Sequence, residues 1–151
     1  MIIREAKSTY DFEQIVDMAR DMHAESPRFS RVPFEAEKVY ALTRRLTEED
    51  TGLVLVAEDE GVLVGMYAGF LAPYFFSYEN YASDVALYVS PGQRGGPLAA
   101  QLIQAFVAWA TEKGVRELAP GASTEVSTEA VRALYESQGF RVGGYLFLKD
   151  I

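Results

Sequence analysis

The sequence predicts an α/β fold of the α+β kind, one domain built on a mixed sheet with helices on both faces. Three features carry the prediction. Leu53 to Ala57 is an unbroken apolar run, as expected of a strand covered on both sides. Val85 to Ala99 passes from strand alternation through a Pro/Gly turn into helical spacing. Segments of period two and of period 3.6 then follow one another in the order β-α-α-β-β-β-α-β-α-β. No repeat, linker or low-complexity stretch interrupts them, so residues 1–151 read as a single domain.

Ile2-Ile3-Arg4 is a short first strand. Ser8 or Asp11 can cap the helix that follows, which carries Phe12, Ile15, Val16, Ala19 and Met22 on one face until Ser26-Pro27 breaks it. Arg28 to Val32 is a polar connector. Pro33 suits a first helical turn, and Val39, Leu42 and Leu46 continue a second amphipathic helix. Glu48 to Gly52 is a charged turn before the apolar run, and Glu58 to Gly61 is a hairpin turn after it. The partner strand, Val62 to Leu71, contains Gly65 and Gly69, which mark a bulge or a close approach. Ala72-Pro73 ends it.

Tyr74 to Tyr81 is a dense aromatic loop, either a satellite hydrophobic cluster or one wall of an acceptor pocket. In the next strand Val85, Leu87 and Val89 alternate with Ala86 and Tyr88, and Pro91-Gly92 stops it. Leu98, Ala99, Leu102, Ile103, Phe106 and Ala110 then fall on one face of a long helix, closed by Lys113-Gly114. Arg116 to Ala119 is a brief strand. Ser127 is an N-cap candidate for the last helix, with Val126 and Val131 as a staple, and Ala130, Val131, Leu134 and Tyr135 facing inward. Gly139 stops that helix. Phe140 to Val142 and Tyr145 to Leu148 supply the last strand or a short hairpin about Gly143-Gly144.

Composition narrows the function. Hydrophobic residues make up 49% and charged residues 24%, the balance of a soluble globular domain, and no apolar run approaches a membrane span. The start of the chain lacks a signal-peptide layout, and there is no cysteine, which excludes disulfides, thiolate metal sites and cysteine nucleophiles. Both observations fit a cytoplasmic protein. A net charge of −8 disfavours a nucleic-acid surface and suits a cationic small acceptor or a basic peptide. One histidine and scattered carboxylates form no metal-ligand pattern. That histidine, His23, closes the first helix, where a cation is favoured.

The turn between the fourth strand and the long helix is the chemically informative stretch. A glycine-rich loop entering a helix N-terminus gathers unpaired backbone N–H groups and the positive end of the helix dipole, which suits a phosphate. Gly95 and Gly96 clear side chains from the approach. The loop is neither a Walker loop nor a dinucleotide-binding G-x-G-x-x-G turn.

Arg94-Gly95-Gly96-Pro97-Leu98-Ala99 resembles the Gln/Arg-x-x-Gly-x-Gly/Ala loop of the GCN5-related N-acetyltransferases. Leu134-Tyr135-Glu136-Ser137-Gln138-Gly139-Phe140 resembles that family's Leu/Phe-Tyr-x-x-x-Gly-Phe segment. The two motifs stand in the family's order, and the element order agrees over nearly the whole chain. The sequence departs from the family pattern at Pro97, where Gly is usual and where one N–H is lost. It departs also at Ser127 and Thr128, which replace an Asn often found near the start of the last helix, and in the short tail after Phe140.

The resemblance implies acetyl-coenzyme A as co-substrate and acetyl transfer to a primary amine of a small molecule or peptide. It places the pyrophosphate on Gln93, Arg94, Gly95, Gly96, Leu98 and Ala99, and the pantetheine arm along Leu87, Tyr88 and Val89, with Ser127 on the coenzyme side. It makes Tyr135 the general acid, since a phenol stays protonated at neutral pH and can donate to a departing thiolate. Asp84 and Glu79 are both candidates for the base. The family's habits also imply a homodimer. Pro97 and the missing Asn fit, as an alternative, a degenerate acyl-CoA-binding module. The aromatic loop fits a protein-interaction domain on the same scaffold.

Overall fold

The apolar run forms the middle of strand β2 (Gly52–Asp59), and its alternate residues enter two different cores. Leu53, Leu55 and Ala57 lie in one; Val54 and Val56 lie in the other. A strand that is apolar at every position needs cover on both faces, and the computed structural model, which spans residues 1–151, supplies it. β2 sits second in a four-stranded sheet of order β1-β2-β3-β4, with β1 (Ile2–Glu5), β3 (Val62–Pro73) and β4 (Asn80–Val89). Helices α1 (Thr9–Glu25) and α2 (Ala36–Glu48) cover one face, contributing Phe12, Ile15, Met18 and Leu46. Helices α3 (Leu98–Glu112) and α4 (Thr128–Ser137) cover the other, contributing Leu102, Ile103, Phe106, Ala110 and Tyr135.

The named strands are all antiparallel. The tight β2–β3 hairpin follows from Glu60 and Gly61, both at positive φ, as a primed two-residue turn requires. Gly65 and Gly69 act by close approach. A Cβ on Gly65 would meet Leu98 at 3.2 Å and Leu102 at 3.3 Å; one on Gly69 would meet Phe106 at 2.9 Å. These two glycines let α3 lie against β3.

The second core is closed by an ion pair in which Asp11 is buried and Arg4 half-buried. Arg4 on β1 holds Asp11 on α1 through two hydrogen bonds of 2.8 and 2.9 Å. Asp11 also accepts from the amide of Lys7, and Ser8 and Asp11 cap α1 reciprocally. The Arg4 guanidinium is the largest influence on Asp11 and draws its carboxyl down to about 2 from an ordinary 3.8. The folded-state value lies below the unfolded one, so the stabilisation is complete above pH 4 and is lost as pH falls toward 2. It amounts to about 2 kcal/mol. Acid titration of Asp11→Asn, followed by circular dichroism, should lose that part of the stability drop between pH 4 and pH 2.

The structure departs from the sequence expectation in four places. Pro33 precedes α2, which starts at Ala36, rather than opening it. Ala130 is exposed. The strand expected at Arg116–Ala119 is a single parallel bridge, Ala82 to Leu118, and it is the only parallel pairing. The final strand does not form: residues 141–151 have no regular structure and are exposed throughout. Both failures involve short segments at the far edge of the sheet, where a strand needs a neighbour to fix it.

Candidate active site

The functional cleft begins with a bulge. Across β3 and β4, Ala68 pairs with Ala86 and Gly69 with Asp84, so Val85 has no opposite number. An extra residue bends its strand and ends further pairing. Just before the bulge, Ala82 still donates to Glu117 at 3.1 Å and accepts from Ala119 at 2.7 Å. Beyond it, β4 and the 117–119 segment part. The opening is a cavity of about 250 Å³. Asp84 to Val89 form one wall, Gly121 to Thr124 and the start of α4 the other, and Met22, Glu25 and Phe29 roof it from the α1 side.

Tyr135 projects from α4 into this cavity and is only 9% exposed. Its ring is braced edge-on by Phe140 at 5.2 Å. Its hydroxyl lies 3.2 Å from that of Tyr67 on β3, whose ring stacks on Phe106 at 4.5 Å. Burial pushes the Tyr135 phenol well above the ordinary tyrosine range, and the negative charge of Asp84 raises it further. Asp84 lines the same cavity and accepts a hydrogen bond from the Gly121 amide at 2.9 Å. Burial raises its carboxyl above the usual carboxylate range. A buried phenol and a carboxylate that ionises with difficulty thus share one cleft.

Glu79 is elsewhere. It stands exposed in the β3–β4 loop, clamped by Arg116 at 2.7 and 3.1 Å, and that clamp lowers its carboxyl. An exposed, paired and acidified carboxylate outside the cleft cannot reach the Tyr135 site. The aromatic loop around it is likewise absent from the cavity: Phe75, Phe76 and Tyr78 point into solvent. Within it Tyr74 and Tyr81 pack on each other at 5.2 Å, part-buried, away from the cleft.

The glycine loop has the expected form at its backbone. The amides of Gly95, Gly96, Leu98, Ala99 and Ala100 have no backbone partner, and Gly95 has φ +85°. A Cβ on Gly95 would meet nothing, so the approach is open. Pro97 opens α3 as its N-cap without donating.

The side chains depart more. Arg94 turns away from the loop: its Nε donates to the Val89 carbonyl at 2.8 Å, and its two terminal nitrogens grip Glu25 of α1 at 2.8 and 3.1 Å. It ties the loop to β4 and α1 instead of extending toward a phosphate. The Leu98 side chain is buried in the core, and only its amide faces the loop. Gln93, in a one-turn 3-10 segment (Pro91–Gln93), is not among the residues lining the cavity. Leu87, Tyr88, Val89 and Ala99 do line it, and so does Arg94. Ser127 reaches the cavity as the N-cap residue of α4, but at φ +50° its side chain caps nothing.

Three participants were not evident in the sequence. Tyr67 reads there as an ordinary strand aromatic, and only the fold lays it against Tyr135. Glu25 lies 69 residues from Arg94 along the chain. The bulge at Val85 follows from sheet register. Its nearest sequence signal is Gly69, which pairs with Asp84 next to it.

The site is thus a cleft between splayed strands, with a loop of free amides at its end and a buried phenol inside it. The sequence model of the Acetyltransferase (GNAT) family matches residues 15–140, and the chain belongs to that family. It is therefore an N-acetyltransferase that uses acetyl-coenzyme A. No curated protein matches the sequence.

Solved structures share the fold across whole chains. A transcriptional regulator from Bacillus halodurans is 21% identical with a TM-score of 0.78, covering 99% of both chains. AAC(6')-Iy in complex with a bisubstrate analog, CoA-S-monomethyl-acetylneamine, is 20% identical with a TM-score of 0.78, covering 99% of this chain and 97% of that one. An aminoglycoside 6'-N-acetyltransferase from Acinetobacter haemolyticus is 18% identical with a TM-score of 0.74, covering 100% of this chain and 99% of its own. At such identities the likeness establishes architecture. No helix is long and apolar enough to cross a membrane.

Proposed function

We propose that the protein transfers the acetyl group directly to a primary amine of a small molecule, with Asp84 as general base and Tyr135 as general acid. The observation that carries this reading is that both residues line one cavity with the β4 edge. The donor supplies an activated thioester carbon. Asp84 takes a proton from the incoming ammonium, and the freed nitrogen attacks that carbon. A C–N bond forms as the C–S bond breaks, Tyr135 gives its proton to the departing sulfur, and the second proton shed by the new amide nitrogen restores the Tyr135 phenol.

The two residues act in sequence through their charges. Tyr135 is a reluctant acid while Asp84 is negative, since that charge raises the phenol. Once Asp84 has taken the ammonium proton its charge is gone, and Tyr135 becomes the better donor when the thiolate departs. The roof of the cleft supports a compact acceptor: Met22 and Phe29 offer apolar contact and Glu25 is engaged by Arg94. Neighbours of the same fold bind or acetylate aminoglycosides, which supports a polyamine-like small molecule ahead of a peptide.

The test is a pH–rate profile with a panel of amines that includes aminoglycosides and peptide amines. Rate as kcat/KM should rise with pH through a value above the usual carboxylate range, because Asp84 must be ionised to act. Asp84→Asn should abolish that limb while leaving the KM for acetyl-coenzyme A within about twofold. An unaltered acid limb in Asp84→Asn removes it as the base. Coenzyme binding without turnover of any amine would favour the non-catalytic acyl-CoA module.

A further inference from the structure

The charged side chains that line the cleft are Glu25, Asp84 and Arg94. Two of them are spent on each other: Arg94 donates to Glu25 at 2.8 and 3.1 Å. Both keep contact with solvent, with 39% and 32% of their side chains exposed. An ion pair so wetted contributes little and yields to a stronger partner. Arg94 also has an anchor that does not involve Glu25. Its Nε donates to the Val89 carbonyl at 2.8 Å, and its guanidinium lies over the Tyr88 ring at 5.4 Å. The two terminal nitrogens can therefore exchange one anion for another while the side chain stays attached. Arg94 directly precedes Gly95, in the loop whose amides have no backbone partner. A diphosphate on those amides carries more charge than one carboxylate and accepts the same forked grip.

Glu25 does not depend on Arg94 for its place. The next residue, Ser26, is buried; its hydroxyl donates to the Thr124 carbonyl at 2.7 Å and accepts from the Phe29 amide at 2.9 Å. Arg28 donates to the Ser123 carbonyl at 3.0 Å. The end of α1 is thus pinned to the opposite wall of the cleft. With Arg94 drawn off, the Glu25 carboxylate stays over the cavity and no cation lines it.

We propose that Glu25 recognises a second ammonium of the acceptor, and that Arg94 masks it until the coenzyme diphosphate takes Arg94 away. The cleft then offers two carboxylates, Asp84 for the reacting amine and Glu25 on the roof for the other. The acceptor that fits is a diamine or polyamine. The assignment rests on the acetyl-transfer reading for the role of Asp84, but its core is an equilibrium linkage: each ligand raises the affinity of the other by one common factor.

The test measures binding without turnover, by calorimetry on the full chain with coenzyme A, diaminobutane and butylamine. Saturating coenzyme A should tighten diaminobutane binding about tenfold, and saturating diaminobutane should tighten coenzyme A binding equally. Butylamine, served by Asp84 alone, should gain far less. Pantetheine, which lacks the diphosphate, should give no coupling. Glu25→Gln should keep its circular dichroism, lose the coupling and bind coenzyme A more tightly than the wild type, because the competing carboxylate is gone. A Glu25–Arg94 pair that only braced the loop would weaken coenzyme A binding in that variant. The proposal is overturned by such weakening, by diaminobutane affinity indifferent to coenzyme A, by coupling that survives Glu25→Gln, or by equal coupling with pantetheine. Coupling in a protein that acetylates no amine would overturn the transfer reading and uphold this one.

Discussion

Tyr135→Phe should lower kcat by about 10²–10⁴-fold, the usual contribution of a positioned general acid. The substitution removes one oxygen and leaves the ring, which Phe140 continues to brace. Coenzyme affinity should be retained, since the proposed coenzyme contacts on the β4 edge and the loop amides are untouched. A fall in kcat and kcat/KM together, without a change in coenzyme affinity, marks an interaction made only in the transition state. Tyr67 sharpens the test. Either hydroxyl of the Tyr67–Tyr135 pair can donate, but only with Tyr67 as donor is the Tyr135 proton free for the sulfur. Tyr67→Phe should therefore cost about tenfold in kcat, the worth of one hydrogen bond. In the Tyr135→Phe background it should cost almost nothing further, because its partner is gone. Independent, multiplying losses would show that Tyr67 acts through packing, and an unchanged Tyr135→Phe rate would remove Tyr135 from the mechanism.

The parts of the site built from local chain were legible in the sequence, and the parts built from pairing were not. The Gly95–Gly96 loop and the entry of α3 are consequences of neighbouring residues: a Pro/Gly stop, then helical spacing. The motif around Tyr135 is equally local. Side-chain direction is different. Arg94 looks free in the sequence, but the folded chain brings Glu25 to it, and a forked guanidinium meets a carboxylate two hydrogen bonds at a time. Glu79 and Asp84 cannot be separated by type or by neighbours; Arg116 claims one and burial against Gly121 sets the other apart. The final strands failed for a related reason. Tyr145–Leu148 has strand composition, but composition does not say which edge will receive it.

Phe106→Ala should be the most damaging substitution away from the reacting atoms, with a loss of about 3–5 kcal/mol. Phe106 is fully buried and stacks on both Tyr67 and Trp109, and its ring lies where a Cβ on Gly69 would have to go. Gly69 gives β3 no side chain with which to refill the space, so the cavity stays open. In a chain of this length the melting temperature should fall by roughly 10 °C. The stack also fixes the Tyr67 ring, and through it the Tyr135 hydroxyl. Activity should therefore drop beyond what unfolding explains, even well below the melting range. Leu102→Ala provides the comparison. Leu102 is equally buried in the same core, without an aromatic contact to Tyr67, and its loss is of similar kind. If folded Phe106→Ala and folded Leu102→Ala had the same kcat, the Phe106–Tyr67 stack would support the fold alone. A kcat deficit confined to Phe106→Ala would show that packing in the core under α3 and α4 reaches the proton donor.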